Sequence, residues 1–176
     1  MITELHTERL HLRKMKESDS SGLFNIWSDP DVTKFMNISP FTDKAQAVAM
    51  IHLLDDLSRE NKAIRFSIIE KNSNQIIGSC GFNSLDYDHY RAEIGYDLAQ
   101  SHWGRGFASE SIRAMLEHGY SILKMNRIEA KVDPDNVNSI KLLEKLGFTC
   151  EGTLRQYERV EGTFKDIHMY SKLSSD

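Results

Sequence analysis

The sequence has few of the features that mark secreted, membrane-spanning or nucleic-acid-binding proteins. Its two cysteines, Cys80 and Cys150, form no metal-binding spacing, so we expect reduced, buried thiols and no bound metal. No apolar run is long enough to cross a bilayer, and residues 1–6 lack the basic-then-apolar build of a secretion signal. The net charge of −4 argues against a broad nucleic-acid-binding face. These absences predict a cytoplasmic protein that binds neither membranes nor, directly, nucleic acid.

What is present is typical of one globular domain. The chain has 176 residues, of which 40% are hydrophobic and 27% charged, and this length is enough to bury a core. No internal repeat, low-complexity tract or linker interrupts it. We therefore predict a single domain over residues 1–176.

Residue periodicity predicts a mixed α/β fold with a sheet of about seven strands and helices on both faces. The strands at 91–98 and 127–132 are joined by a helix, which predicts a parallel pair with a right-handed crossover. The other strands are expected at 10–15, 63–70 and 76–82, with two more on either side of a turn at Glu161–Gly162. The helices are expected to carry the apolar residues from Leu23 to Trp27, Val48 to Leu57, Ile112 to Leu123 and Val137 to Leu146.

Capping residues predict two of the helix ends. Asp43 and Gln46 have the spacing of a capping box, which favours a helix start. Gly147 is expected to end the helix that begins at Val137 in a left-handed conformation, with Phe148 packing back on the last turn.

A glycine loop between a strand and a helix indicates a phosphate-binding site. Gly104 and Gly106 alternate with Arg105 directly before the helix, where backbone amides and the helix dipole favour an anion. The spacing excludes a P-loop, which needs four residues between its glycines and then Lys-Ser/Thr. A dinucleotide fingerprint, and hence a nicotinamide oxidoreductase, stays as an alternative, although Ser109 replaces its third glycine and about half of the chain precedes it.

The glycine loop is one of several segments that together carry a family signature. These segments are Trp103–Ala108, Thr7–Arg13, Ala92–Tyr96, Asn136–Ser139, Glu144–Phe148 and, in the final hairpin, Glu151–Gly152, Gly162, Asp166 and Tyr170–Ser171. In this order they resemble the GNAT superfamily of acetyl-CoA-dependent N-acetyltransferases, and more closely its RimJ/RimL branch, which acetylates N-terminal amines of ribosomal proteins. Trp103 replaces the usual Gln or Arg, as is common in that branch, and we expect it to pack between strand and helix.

The resemblance implies a GNAT-like fold, in which a mostly antiparallel sheet has a central parallel pair splayed to admit acetyl-CoA as cosubstrate, with no metal. The splay is expected at a bulge, for which Gly95 is suited. Asn136 is expected either to bind the pantetheine arm or orient the amine, or only to cap its helix. The remaining cofactor-binding residues implied are Ile94, Gly95 and Tyr96 for the pantetheine arm, and Gly104, Arg105, Gly106, Phe107 and Ala108 for the diphosphate.

The resemblance also implies two catalytic groups. Glu93, on the strand that leads to the glycine loop, is the candidate base; alternatively it is a surface glutamate neutralised by Arg91 or solvent. Ser139 is the candidate acid that protonates the leaving thiolate; alternatively it only caps its helix. Tyr157 and Tyr170 are alternative hydroxyl donors.

The acceptor is the least determined part of the prediction. An α-amine has a pKa of about 8 and needs a weaker base than a lysine amine at about 10.4. We therefore favour a protein N-terminus, such as that of a ribosomal protein, over lysine. A polyamine or other small amine, and a catalytically silent CoA-binding sensor, remain alternatives. Either a monomer or a homodimer is compatible with the sequence.

Overall fold

A computed structural model describes residues 3–176 as an eight-stranded sheet with helices packed against it. The strands are β1 (Glu4–His6), β2 (Leu10–Lys14), β3 (Ile64–Glu70), β4 (Gln75–Asp86), β5 (Arg91–Leu98), β6 (Arg127–Val132), β7 (Thr149–Val160) and β8 (Thr163–Leu173). The helices are α1 (Ser20–Trp27), α2 (Pro30–Thr33), α3 (Lys44–Arg59), α4 (Phe107–Glu117), which continues into a π-helical turn (His118–Ile122), and α5 (Val137–Lys145). Within the described residues, no helix combines the length and apolar character needed to cross a membrane.

The sheet order is β1-β2-β3-β4-β5-β6-β8-β7, and among the strands of residues 3–176 only β5 and β6 run parallel to each other. The predicted mixed α/β fold with a central parallel pair is therefore confirmed. The strand that the periodicity did not reveal is β1, because its three residues are too few to show an alternating pattern.

The parallel pair is joined over only a short length. β5 pairs with β6 at Arg91, Ala92 and Glu93, and the ladder ends there, so the rest of β5 diverges from β6. The register shift that accompanies the split lies on the other side of β5, between Phe82 and Ser84 of β4. The expectation of a bulge at Gly95 is therefore wrong.

Gly95 instead leaves room for a close approach of the Asn83 side chain. It pairs regularly with Gly81 of β4, and a Cβ atom on it would lie 2.5 Å from Nδ2 of Asn83. Asn83 is the residue skipped by the register shift, and its amide fills the space above Gly95.

The apolar core forms two clusters on opposite faces of the sheet. Ile77 of β4 belongs to the cluster that includes α4, whereas its neighbour Ile76 packs against the cluster of α1 and α3. Because successive residues of a strand point to opposite faces, these clusters confirm helices on both sides. Cys80 is buried as expected, and burial raises the pKa of its thiol to about 12. Cys150 is exposed, contrary to expectation, because it lies on an edge strand, β7.

Candidate active site

A cleft of about 1360 Å³ opens where β5 and β6 diverge. The starts of α4 and α5, the segment after α2 and the β7–β8 hairpin complete its walls. Arg105 is the single predicted site residue that does not line it. The predicted residues that do are Glu93, Ile94, Gly95, Tyr96, Gly104, Gly106, Phe107, Ala108, Asn136 and Ser139.

The glycine loop reaches α4 through two left-handed residues. Gly104 has a φ angle of 70° and Gly106 one of 81°, a region that side chains with a Cβ atom rarely adopt. Apart from its chain neighbours, no described residue has an atom within 4 Å of a Cβ atom built on Gly104, so the backbone angle and not space requires glycine there. The first intrahelical bond runs from the Glu110 amide to the Gly106 carbonyl, which leaves the preceding amides of the first turn without an intrahelical acceptor. Such amides are suited to an anion.

The loop carries two long side chains, Trp103 and Arg105. Trp103 is 43% exposed and lines the cleft, with its indole N–H donating to the Leu98 carbonyl at 2.8 Å. The expected packing between strand and helix is therefore wrong, because the 3-10 turn before Trp103 carries it out of the core. The Arg105 guanidinium points to Glu70, at 3.8 Å, and lies over the Phe107 ring.

Arg9 was not singled out by the sequence, yet it contacts the loop directly. Its guanidinium donates to the Arg105 carbonyl at 2.9 Å and lies 4.1 Å from the centre of the Phe107 ring. It also forms a 2.7 Å ion pair with Glu110 in the first turn of α4. The loop is thus held from behind by a residue about a hundred positions away in the chain.

Glu93 has a cationic partner that sequence reasoning did not identify. Its Oε2 atom lies 2.9 Å from Nζ of Lys131 on β6, and its Oε1 accepts a long bond from Asn83. Arg91 pairs with Asp86 instead. Burial alone would lower the pKa of Lys131, but Glu93 and the neighbouring Tyr157 raise it above its usual value. Glu93 therefore faces the cleft beside the Lys131 ammonium, which stays protonated at neutral pH.

Ser139 forms the second notable contact. Its hydroxyl lies 2.5 Å from the Tyr96 hydroxyl, so a hydrogen bond spans the gap between β5 and α5. The Asn136 side chain caps α5 by accepting from the Ser139 amide, so the alternative that Ser139 itself is the cap is wrong. Burial raises the pKa of Tyr96, more than the bond to Ser139 lowers it. The Tyr96 hydroxyl therefore keeps its proton at neutral pH.

The two alternative hydroxyl donors lie outside the cleft lining. Tyr157 is 51% exposed and its ring faces the Lys131 ammonium. Tyr170 is buried and donates a long bond to Glu144, and burial is the main cause that raises its pKa to about 12. Ser139 is thus the better placed of the three hydroxyls to meet a ligand in the cleft.

A buried carboxylate forms part of the cleft floor. Asp97 accepts hydrogen bonds on Oδ2 from Arg65, Ser79 and Trp27, which ties β3, β4 and α1 together. Its other oxygen has no hydrogen-bond partner among the residues that the structure describes. Sequence periodicity could not reveal this site, because α1, which covers Asp97, is distant from it in the chain.

Comparison with known proteins gives a consistent result. Residues 9–149 match the sequence profile of a family described as acetyltransferase (GNAT) domain. The chain is 54% identical to an uncharacterized N-acetyltransferase, p20, of Bacillus licheniformis, over 98% of this chain and 97% of that protein. It is 39% identical to an uncharacterized N-acetyltransferase, YoaA, of Bacillus subtilis, over 97% of each.

Solved structures share the fold over nearly the whole chain. A GNAT-family acetyltransferase from Bacillus anthracis superposes with a TM-score of 0.88 at 25% identity, over 98% of this chain and 99% of that one. The ribosomal L7/L12 α-N-protein acetyltransferase RimL, solved with coenzyme A, gives a TM-score of 0.84 at 25% identity over 95% of each chain.

More distant relatives differ in their named substrates. A spermidine N(1)-acetyltransferase of Vibrio cholerae is 26% identical over 90% of each chain. The ribosomal protein uS5-alanine N-acetyltransferase of Escherichia coli is 24% identical over 97% of this chain and 90% of that protein. Sequence similarity alone thus leaves more than one type of amine as the acceptor.

Proposed function

Since the chain belongs to the GNAT acetyltransferase family, we propose that it transfers an acetyl group from acetyl-CoA to the N-terminal α-amine of a protein. The observation that carries the proposal is the loop of Gly104 and Gly106, whose left-handed angles lead into α4 beside the cleft. Unbonded amides at that point fit a diphosphate, and the gap between β5 and β6 fits an extended arm. An α-amine acceptor agrees with the resemblance to the RimJ/RimL branch and with relatives that act on ribosomal proteins.

In the proposed reaction, the amine nitrogen attacks the thioester carbonyl and the carbon–sulfur bond breaks. Glu93 accepts the proton of the amine, directly or through a water molecule. An α-amine with a pKa of about 8 loses this proton without a strong base, which suits a carboxylate that lies beside Lys131. Ser139 gives a proton to the departing thiolate and regains one from the Tyr96 hydroxyl, which in turn takes a proton from solvent. Backbone amides near Ile94 and Gly95 stabilise the oxyanion.

The family resemblance supports the remaining cofactor contacts. Ile94, Gly95 and Tyr96 contact the pantetheine arm in this proposal, and Asn136 lies beside it while it caps α5. Arg105 contributes through its backbone, because its side chain is directed to Glu70. We also propose one catalytic domain over residues 1–176 and a cytoplasmic location, which a buried, unpaired Cys80 supports.

The test is a thiol-release assay with purified protein, acetyl-CoA and a panel of amines. The panel contains peptides that begin with Ala, Ser or Met, the same peptides with a blocked N-terminus and an internal lysine, and spermidine. We expect the highest kcat/KM for a peptide with a free N-terminus. A higher value for spermidine would favour the polyamine alternative. Calorimetric binding of acetyl-CoA without turnover of any amine would favour a sensor, and no binding at all would contradict the proposal.

A further inference from the structure

The turn between β1 and β2 lies behind the glycine loop and contacts it through Thr7 and Arg9. Glu110 accepts a hydrogen bond from the Thr7 hydroxyl at 2.6 Å and one from the Arg9 amide at 2.8 Å. Its second oxygen receives the Arg9 Nε at 2.7 Å, while Nη1 of Arg9 donates to the Arg105 carbonyl. On the premise of the proposed function, we propose that Arg9 is a positioning residue that holds the loop in its diphosphate-binding conformation.

The bond to the Arg105 carbonyl determines where the next amide points. A trans peptide is planar, so its C=O and N–H point in opposite directions. Arg9 does not line the cleft, whereas Gly106 does. Because Arg9 binds the carbonyl from behind, it directs the Gly106 N–H towards the cleft. Nη2 of Arg9 lies 3.3 Å from where a Cβ atom of Gly106 would be, so the guanidinium packs closely against the loop backbone.

Arg9 has a second effect through charge. Glu110 lies in the first turn of α4, and its carboxylate would repel a diphosphate bound at the same helix end. Burial opposes ionisation, but the hydrogen bonds from Thr7 and Arg9 outweigh it and lower the pKa of Glu110. The carboxylate is therefore charged at neutral pH, and the Arg9 guanidinium neutralises it in place.

The test compares two thioesters, acetyl-CoA and S-acetyl-pantetheine, which lacks the diphosphate. For Arg9→Met we expect the KM for acetyl-CoA to rise about tenfold, as for the loss of one charge-assisted hydrogen bond. We expect kcat and the KM for S-acetyl-pantetheine to stay unchanged. Arg91→Met is the matched control, because Arg91 also pairs with an acidic residue but does not contact the loop.

Two further variants separate the effects of Arg9 and keep the test valid if Arg9→Met does not fold. Arg9→Lys retains the charge without the planar fork, so we expect partial rescue. Arg9→Met/Glu110→Gln removes both charges. We therefore expect the KM for acetyl-CoA to fall back only by the part of the increase that comes from repulsion between Glu110 and the diphosphate. An unchanged KM for acetyl-CoA in the folded variants, or an equal rise for both thioesters, would overturn the role of Arg9. Absence of turnover in the wild type would instead contradict the proposed function.

A separate cluster on the β1–β2 hairpin leads to a second proposal. The strand register sets His6 opposite His11, and Glu4 is two residues from His6 on the same face. Oε2 of Glu4 lies 2.8 Å from Nε2 of His11 and 3.8 Å from Nε2 of His6, and the two imidazole rings stack at 4.3 Å. We propose that Glu4, His6 and His11 form a site for a divalent transition-metal ion such as Zn²⁺.

The ligand set and its spacing both fit such an ion. Two imidazoles and one carboxylate are a common donor set for Zn²⁺, with bonds of about 2.0–2.2 Å. The three donor atoms lie within 4.8 Å of one another, and rotation of the two stacked imidazoles about their side-chain bonds would turn all three donors toward one ion. Sequence spacing could not reveal the site, because the strand register alone brings His11 to His6.

The test is calorimetric titration of the tag-free, metal-stripped protein with Zn²⁺. We expect saturable binding of one equivalent, weakened by more than about tenfold in His6→Gln and in His11→Gln. His89→Gln is the control, since His89 pairs with Asp86 but has no second histidine beside it. Absence of saturable Zn²⁺ binding, or an affinity equal to that of the wild type in His6→Gln and His11→Gln, would contradict the site.

Discussion

The two ends of the cleft differ in what builds them. At the glycine loop, the proposed binding groups are backbone amides of one short segment, oriented by the φ angles of Gly104 and Gly106. At the other end, where we propose that the acceptor binds, the walls consist of side chains from β5, β6, the segment after α2 and the β7–β8 hairpin. A site made of backbone can be recognised from a short stretch of sequence, whereas a site made of side chains requires the tertiary structure. The sequence therefore predicts the cosubstrate more narrowly than the acceptor.

The charges of the two ends differ in the same way. The acceptor end carries charges of both signs: Asp31 and Glu158 are acidic, and Lys34 and Lys165 are basic. No single sign of charge predominates there, so electrostatics alone does not select a cationic or an anionic acceptor. At the loop, Glu110 pairs with Arg9 and Glu70 with Arg105, which leaves the amides to define an anion site.

The largest expected effect tests whether the ends act separately. Glu93→Gln removes the proposed base, so we expect kcat to fall by about 100-fold or more. The affinity for acetyl-CoA should not change, because the glycine loop is untouched. Thiol release and calorimetry measure the two quantities. Glu129→Gln is the matched control, since Glu129 faces Glu93 in the strand register but pairs with Arg127 and does not line the cleft. An unchanged rate and pH profile for Glu93→Gln would exclude Glu93 as the base.

The next effect should appear at the other end alone. Gly106→Ala forces a Cβ atom into a left-handed conformation, at a cost of about 1–2 kcal/mol. If the loop relaxes to avoid this strain, the KM for acetyl-CoA rises by about 5- to 30-fold. Gly162→Ala is the control, because Gly162 has the same φ angle of 81° in the β7–β8 turn. Similar KM values for the two variants would show that the angle at Gly106 does not matter for binding.

A smaller effect is expected at the junction of the two ends. For Ser139→Ala we expect kcat to fall about tenfold, less than is usual for general acids, because the thiolate of a thiol with a pKa of about 8.5 leaves readily. Tyr96→Phe keeps the Ser139 hydroxyl and should reduce kcat less. Both variants should bind acetyl-CoA normally in calorimetry. A Tyr96→Phe defect as large as that of Ser139→Ala would assign the acid role to Tyr96.

The smallest effect concerns stability at the loop end. The pKa of Glu110 in the folded state lies below its ordinary value of 4.5, because the hydrogen bonds from Thr7 and Arg9 outweigh the effect of burial. Its contribution to stability is therefore full above pH 4.5 and is lost as the pH falls through the lowered pKa. In chemical denaturation, the free energy of unfolding of Glu110→Gln should therefore lose about 1 kcal/mol less on acidification than that of the wild type. An equal pH dependence in variant and wild type would argue against the Glu110 contacts.

The elements that the sequence predicted correctly depend on near neighbours. Asp43 and Gln46 form the predicted capping box at the start of α3. Gly147 has a φ angle of 85°, and its amide and that of Phe148 satisfy the last carbonyls of α5, as expected. Both motifs are complete within about five residues, so no tertiary information is needed to recognise them.

The features that the sequence did not reveal depend on distant partners. Lys131 meets Glu93 only because β5 and β6 run parallel, and Glu110 meets Arg9 although about a hundred residues separate them in the chain. The exposure of Trp103 likewise follows from the short turn that precedes it, and not from its hydrophobicity. Periodicity assigns a side chain to a face of its element, but the partner on that face is determined by the topology of the fold.

The short ladder between β5 and β6 also has a mechanical consequence. Three residue pairs join these strands, compared with eight between β4 and β5, so the sheet consists of two blocks along a weak seam. Proteins open locally in such cooperative units, and a ligand that touches both blocks raises the free energy of opening. A molecule seated in the seam therefore becomes part of the scaffold, and the amide hydrogens along β6 should exchange more slowly whenever the cleft is filled.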